Sequence, residues 1–369
     1  MNSQTIPEKL LGVNWYVMMA IFGLMAMGIV ILYSAGAPGG SLHPWASRQG
    51  ILMIGMTATM LLVSTIDIHI WRQLSYWFYG IALVLLIAVA FFGIEVNGSK
   101  RWLDLGMTRL QPSEFMKIAL ILAMAQYYQS LSRAHVSSAF GIIGALSLIL
   151  IPGLIVMKQP DLGTAGLTMM VGIGIMFLAG VSYKIFLAAS GIFIAIIPFF
   201  WSQMHAYQRD RVLTFLEPER DPLGKAYHIT QSKIAIGSGG LFGKGLFQGT
   251  QGHLKFLPER NTDFIFSTMS EELGMMGGLI VLSLYAVIIG WGLWVALSSR
   301  THFVRLTASG LTLMIFLHVA INISMVVGLF PVVGIPLPLV SYGGSSLLTI
   351  MIALGVLFAA SRGREQERL

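Results

Sequence analysis

The chain is 369 residues long, 56% hydrophobic and only 11% charged, with a formal net charge of +7 and no cysteine. Soluble proteins carry roughly 25% charged residues, so the composition excludes a soluble enzyme of two or three domains and indicates one bundle of membrane helices. The missing cysteines exclude disulfides, thiolate metal sites and cysteine nucleophiles, and the positive charge is assigned to anionic lipid or a phosphate-bearing substrate rather than to nucleic acid.

A membrane span needs about 20 mostly apolar residues. The first such run, 14–34, lacks a small-residue cleavage site and reads as a retained span, not a removed signal peptide. Runs 49–66 and 74–94 follow, then 113–132, which is apolar except for Glu114 and Lys117 near its start. Next come 136–157, 162–183 and 185–204, the polar loop 205–263, and the run 273–299. The charge-free stretch between Arg305 and Arg362 is too long for one crossing, and Pro331, Pro336, Pro338 and Gly343-Gly344 divide it into 306–328 and 343–361. The expectation is an all-α polytopic bundle of ten transmembrane helices, a single domain over 1–369, with a large extracytoplasmic loop (205–263) between spans seven and eight.

Ten is even, so both termini share one side and the connections 35–48, 95–112, 158–161, 205–263 and 329–342 share the other. Nine Lys and Arg residues fall on the termini side; the opposite face has five outside its long loop. Short loops dominate the positive-inside rule, which places the termini in the cytoplasm.

The polar chemistry concentrates on that opposite face. The loop 205–263 holds Arg209, Arg211 and many other charges interleaved with aromatic residues, and a loop of this length without its own secondary structure is usually functional or disordered. Near its end, in Leu257-Pro-Glu-Arg-Asn-Thr-Asp-Phe-Ile-Phe266, Asp263 stands where polar loop meets apolar helix. Partial desolvation there raises a carboxylate's pKa and favours base character, while Arg260 opposes the shift. Capping of the eighth span by Thr262 or Asp263 is the competing reading, and both stand. Glu114 and Lys117, three residues apart in Gln111-Pro-Ser-Glu-Phe-Met-Lys117, share one helix face. Ionisable groups within a span are costly and mark either a functional cavity, which Arg101 and Trp102 would also reach, or a structural ion pair. Asp161, in Lys158-Gln-Pro-Asp-Leu-Gly163, reads as a cap of the sixth helix. The charge-free turn 330–345 is rich in Pro and Gly. It suits a rigid re-entrant segment shaping a groove for a lipid tail, since irregular backbone at membrane depth lines a cavity or is buried in protein.

Other motifs fail. Gly237-Ser-Gly-Gly-Leu-Phe-Gly-Lys-Gly245 has Ser238 and Gly245 where a phosphate-binding loop needs Gly and Ser/Thr, and reads as a flexible or tightly turned segment. The sequon Asn97-Gly-Ser99 is a weak pattern, and the eight histidines have no paired zinc-ligand spacing.

Taken together, Arg101-Trp102, Gln111-Pro-Ser-Glu114 with Lys117, Gln159-Pro-Asp-Leu-Gly163, Ser232-Lys-Ile-Ala-Ile-Gly-Ser-Gly-Gly240, Pro258-Glu-Arg-Asn-Thr-Asp-Phe-Ile-Phe266 and Pro336-Leu-Pro-Leu-Val-Ser-Tyr-Gly-Gly-Ser345 resemble the shape, elongation, division and sporulation (SEDS) family over essentially the whole chain. The elongation branch, the RodA type, is more similar than the division branch. The resemblance implies ten helices in the bacterial cytoplasmic (inner) membrane and a peptidoglycan glycosyltransferase that polymerises lipid II during rod-shape elongation. It also implies a class B penicillin-binding protein as transpeptidase partner, with other elongation-complex membrane proteins. It assigns the family's essential extracytoplasmic aspartate to Asp263 and its intramembrane acid and base to Glu114 and Lys117.

Such a transfer needs a base for a sugar 4-hydroxyl, positive charge for a departing diphosphate, and a greasy groove for a polyprenyl chain. Asp263 is the expected base. Arg101, Lys117, Arg209, Arg211 and Arg260 are the candidates for the diphosphate, and Glu114 orients Lys117. A divalent cation, Mg or Mn, bridging the diphosphate fits the same chemistry, with no residue assigned to it. The rivals are a flippase for the lipid-linked precursor, which cavity-facing charges and broken helices would suit, and a non-catalytic scaffold of a wall-synthesis complex.

Overall fold

The computed structural model describes residues 14–36, 44–96, 99–104, 106, 109–203, 209, 213, 225–253 and 259–366. In chain order these form α1 (Trp15–Gly36), α2 (Pro44–Thr65), α3 (Ile68–Phe92), strands β1 (Ile94–Val96), β2 (Ser99–Asp104) and β3 (Arg109–Leu110), then α4 (Pro112–Ser130), α5 (Ala139–Lys158), α6 (Leu162–Leu178) and α7 (Tyr183–Gln203). They continue with α8 (Lys225–Gly239), α9 (Thr250–His253), α10 (Ile265–Ser298), α11 (His302–Val327) and α12 (Gly344–Gln366). The three strands make a small antiparallel sheet in order β1-β2-β3, which the all-helical expectation did not include.

Local chemistry sets the helix starts. Asp67, Ser138 and Asp161 each accept a hydrogen bond from a first-turn backbone N–H of α3, α5 and α6, satisfying donors that no intrahelical carbonyl can reach. Pro112 opens α4, where its missing N–H costs nothing. Gly328, left-handed at φ 84°, ends α11 and releases the chain into the 329–342 turn.

Seven helices (α1, α2, α3, α5, α10, α11 and α12) are long and apolar enough to cross a membrane, so the chain is a multi-pass membrane bundle. The expected count of ten exceeds this number for physical reasons. At 17 residues, α6 spans only about 26 Å against a hydrocarbon core of about 30 Å; α7 is apolar, but its apolar portion is also short. Helix α4 carries Glu114 and Lys117 and is buried along most of its length. Packed against α3, α5, α6, α11 and α12, it meets protein instead of lipid and has no need of a wholly apolar surface.

The 205–263 segment is not a structureless loop, since it contains α8 and α9. Its glycine-rich run fills a break in α10. There Gly274, at φ 67° and ψ −164°, interrupts the helix. The carbonyls of Glu271 and Glu272 accept from Lys244 N and Gly245 N (both 3.0 Å), while Met275 N and Met276 N donate to Gly240 O (2.9 Å) and Leu241 O (3.1 Å). The inserted segment thus replaces helical hydrogen bonds lost at the break. The fit needs glycine: a Cβ at Gly243 would lie 2.1 Å from Glu272 O. Glu271, buried, anchors the clasp by accepting from Lys244 Nζ (2.7 Å), Thr250 N (2.8 Å) and Thr250 Oγ1 (2.9 Å).

Candidate active site

Asp263 lies in the tight turn 259–264 that leads into α10. Phe264 occupies the cap position of α10, with no side-chain capping bond. Thr262 Oγ1 donates instead to Glu259 Oε2 (2.9 Å). The capping alternative for Thr262 and Asp263 is therefore not what the structure adopts.

Two segments, α11 and the Pro-rich turn, hold this turn. Buried Asn322 of α11 donates from Nδ2 to Asp263 O (2.9 Å) and Ile335 O (2.7 Å). Ser341 Oγ donates to Thr262 O (2.6 Å), and Tyr342 N donates to Asn261 O (2.9 Å). The charge-free Pro-rich turn is thus stitched along the Asp263 segment. Gly334, left-handed at φ 73°, brings its backbone so close that a Cβ there would stand 3.4 Å from Asp263 Oδ2. The carboxylate is half-buried, and this burial, helped by the negative charges of Glu259 and Asp161, pushes its pKa up to about 7. Asp263 therefore exists in both protonation states near neutrality, as a general base requires.

The turn between α5 and α6 closes another side. Asp161, buried, caps α6 through Thr164 N (3.2 Å) and accepts from Gln111 Nε2 (3.3 Å). Arg101 on β2 donates to Gln159 O (3.3 Å) and to Pro160 O, and its Nη1 stands 3.8 Å from Asp161 Oδ1. Its guanidinium is thus engaged by the 159–161 turn and pins the small sheet over it. Arg260, three residues before Asp263 in the same turn, is buried, and desolvation pushes its pKa below the ordinary value. Arg209 is placed elsewhere, donating to Trp201 O (2.9 Å) and Ser202 O (2.7 Å) at the end of α7. Arg211 lies outside the described residues.

Glu114 and Lys117 form a buried ion pair at 2.8 Å, with residue exposures of 5% and 1%. The sequence reading missed the third member: Lys117 Nζ is also 2.9 Å from Nε2 of His318, on α11. His318 and Asn322 are four residues apart and share a helix face. An imidazole and an amide at that spacing inside the charge-free run 306–328 were a readable signal of this arrangement. His228 on α8 was also missed as a neighbour; its ring lies 6.3 Å from that of Phe264. Beyond it, Ser232 Oγ lies 2.7 Å from Ser267 Oγ of α10 and donates to Val326 O (2.6 Å) of α11. An apolar cavity of about 430 Å³ opens next to these helices, lined by Ile236, Leu241, Phe266, Met275, Leu279 and Leu282 among others.

Among the described residues no group of three or more His, Asp or Glu side chains is placed to hold a metal ion. The residues that would bind a divalent cation are therefore not assembled by these side chains alone, and no chemical step is assigned to one.

Comparison with known proteins adds an independent finding. The sequence profile of the cell cycle protein family FtsW/RodA/SpoVE matches residues 14–366. The peptidoglycan glycosyltransferase MrdB of Escherichia coli K12 is 43% identical over 365 residues, covering 99% of this chain and 97% of that protein. A solved structure described as the structural coordination of polymerization and crosslinking by a peptidoglycan synthase complex superposes with a TM-score of 0.82 at 29% identity, covering 96% of this chain and 98% of that one. The crystal structure of the rod shape determining protein RodA of Thermus thermophilus gives a TM-score of 0.70 at 28% identity, covering 95% and 97%.

Proposed function

The chain belongs to the FtsW/RodA/SpoVE (SEDS) family and is a peptidoglycan glycosyltransferase that polymerises glycan strands; from that premise we propose that Asp263 is the general base of the transfer. The 4-hydroxyl oxygen of one lipid-linked disaccharide bonds to the anomeric carbon of another, and its proton passes to the Asp263 carboxylate. The bond from that carbon to the diphosphate breaks, and its electron pair leaves with the diphosphate. The observation that carries this reading is a carboxylate with no capping duty, on a turn whose backbone is held by α11 and the Pro-rich turn, with its pKa raised to about 7. Such a base contributes about 10²–10⁴-fold.

Lys117 and Arg260 supply positive charge to the diphosphate, with Glu114 orienting Lys117. Arg101 acts from β2, where the 159–161 turn engages it, Arg209 acts from the end of α7, and Arg211 is a candidate for the same charge. The substrate is lipid II, and the apolar cavity beside Phe266, three residues beyond Asp263, suits part of its polyprenyl chain. The seven long apolar helices, with α4, α6 and α7, make ten spans in one domain. Both termini lie in the cytoplasm, and Asp263 and the 205–263 segment face outward from a bacterial inner membrane. A class B penicillin-binding protein supplies the crosslinking activity, within an elongation complex that maintains rod shape. The likeness to a structure of a peptidoglycan synthase complex supports that partnership.

The test is polymerisation of lipid II by purified protein with its transpeptidase partner. Asp263→Asn is expected to abolish strand formation with lipid II binding retained, and polymerisation at the wild-type rate would remove Asp263 as the base. Movement of lipid II across proteoliposomes without any glycan product would favour the flippase reading.

A further inference from the structure

Two side chains of α11 face the two halves of the site: His318, 1% exposed, meets Lys117, and Asn322, 0% exposed, meets Asp263 O. One helical turn, about 6 Å along the axis, separates them. The Lys117 ammonium and the Asp263 segment are therefore both tied to the same face of one helix.

The hydrogen bonds define the state of the imidazole. His318 Nδ1 lies 2.7 Å from Met314 O, and a carbonyl only accepts, so Nδ1 carries the proton. A second proton on Nε2 would set an imidazolium 2.9 Å from an ammonium in a buried site. Nε2 is therefore bare and accepts from Lys117. The ammonium gives one N–H to Glu114 Oε1 and one to His318 Nε2, which fixes the direction of its third. Among the described residues Glu114 Oε2 has no hydrogen-bond partner, which leaves polar valence in the cluster for a further donor. A buried ion pair of this kind is poor value as a stabilising device, because well-packed apolar residues of similar volume serve stability as well or better. Its retention calls for a role in the reaction.

We propose that His318 is a positioning residue for glycan transfer: a neutral acceptor that aims the Lys117 ammonium at the departing diphosphate. This rests on the reading that Lys117 serves that diphosphate, and the two ideas are separable by experiment. Glutamine at 318 places an amide oxygen near the Nε2 position and can still accept from Lys117. Asparagine is shorter; it keeps a donor for Met314 O but does not reach the ammonium.

The test measures lipid II polymerisation by the full-length protein with its partner for H318Q, H318N and K117M, beside thermal unfolding in detergent. H318Q is expected within about fivefold of the wild-type rate. H318N is expected to lose about 10²-fold in kcat, the scale of a 1 Å misplacement, with KM changed less than about threefold and unfolding like that of H318Q. K117M is expected to lose at least as much as H318N. Equal rates for H318Q and H318N, or a loss in H318N that tracks only a lower unfolding temperature, would overturn the role of His318 while leaving Lys117 in place. A K117M protein as active as wild type would remove the reading beneath it.

Discussion

Neutralising Glu259 gives the most direct test of how the base is tuned. Asp263 is raised to about 7 chiefly by burial, then by the charges of Glu259 and Asp161. With that value about a tenth of the protein carries the ionised base at pH 6 and about nine-tenths at pH 8. The value of kcat/KM should therefore rise about tenfold across that interval. Glu259 is exposed, and its carboxylate accepts from Thr262 Oγ1, so Glu259→Gln removes a charge while keeping an acceptor for that hydroxyl. Removing a neighbouring negative charge eases ionisation of Asp263, so the acid limb of the profile moves to lower pH and the variant outpaces wild type at pH 6. At pH 8 the two converge. The Coulomb contribution of an exposed neighbour is screened by salt, so the difference at pH 6 should shrink in high salt. Initial rates of lipid II polymerisation from pH 5.5 to 8.5 at two salt concentrations measure all of this. A flat wild-type profile, or a limb that Glu259→Gln leaves in place, would refute titration of Asp263 as its source.

Three further outcomes follow from the packing. Gly334→Ala combines a left-handed backbone with a Cβ 3.4 Å from Asp263 Oδ2; the strain costs about 1–2 kcal/mol, and polymerisation should fall more than the unfolding temperature does. Gly243→Ala drives a Cβ to 2.1 Å from a backbone oxygen at a position of φ 80°. It should open the clasp and cost about 3 kcal/mol in detergent unfolding. Glu114→Gln leaves Lys117 buried without its counter-charge at a cost of about 3–5 kcal/mol, and E114Q/K117M should recover much of that stability without recovering activity.

Much of the framework was legible because its signals are local. The divisions at 328 and 343–344 agree with helices ending at Val327 and starting at Gly344, since Pro and Gly act on their own backbone. The Asp161 cap was readable for the same reason. The count of crossings was less legible: hydropathy measures what meets lipid, and α4 meets protein. The glycine-rich run 237–245 was recognisable as a poor phosphate loop, but its actual duty depends on a break in α10 that Gly274 creates.

By itself, then, the sequence determined a helical membrane bundle and marked Asp263, Glu114 and Lys117 as charges at or inside apolar runs, because composition, hydropathy and motif spacing are properties of neighbouring residues. Only the tertiary structure decided that Asp263 caps nothing, that Arg101 is engaged by the 159–161 turn, and that His318 and Asn322 tie Lys117 and the Asp263 segment to one helix. Each of the latter three depends on hydrogen bonds between residues 58 to 201 positions apart. Such partners are chosen by how helices pack, which no local pattern encodes.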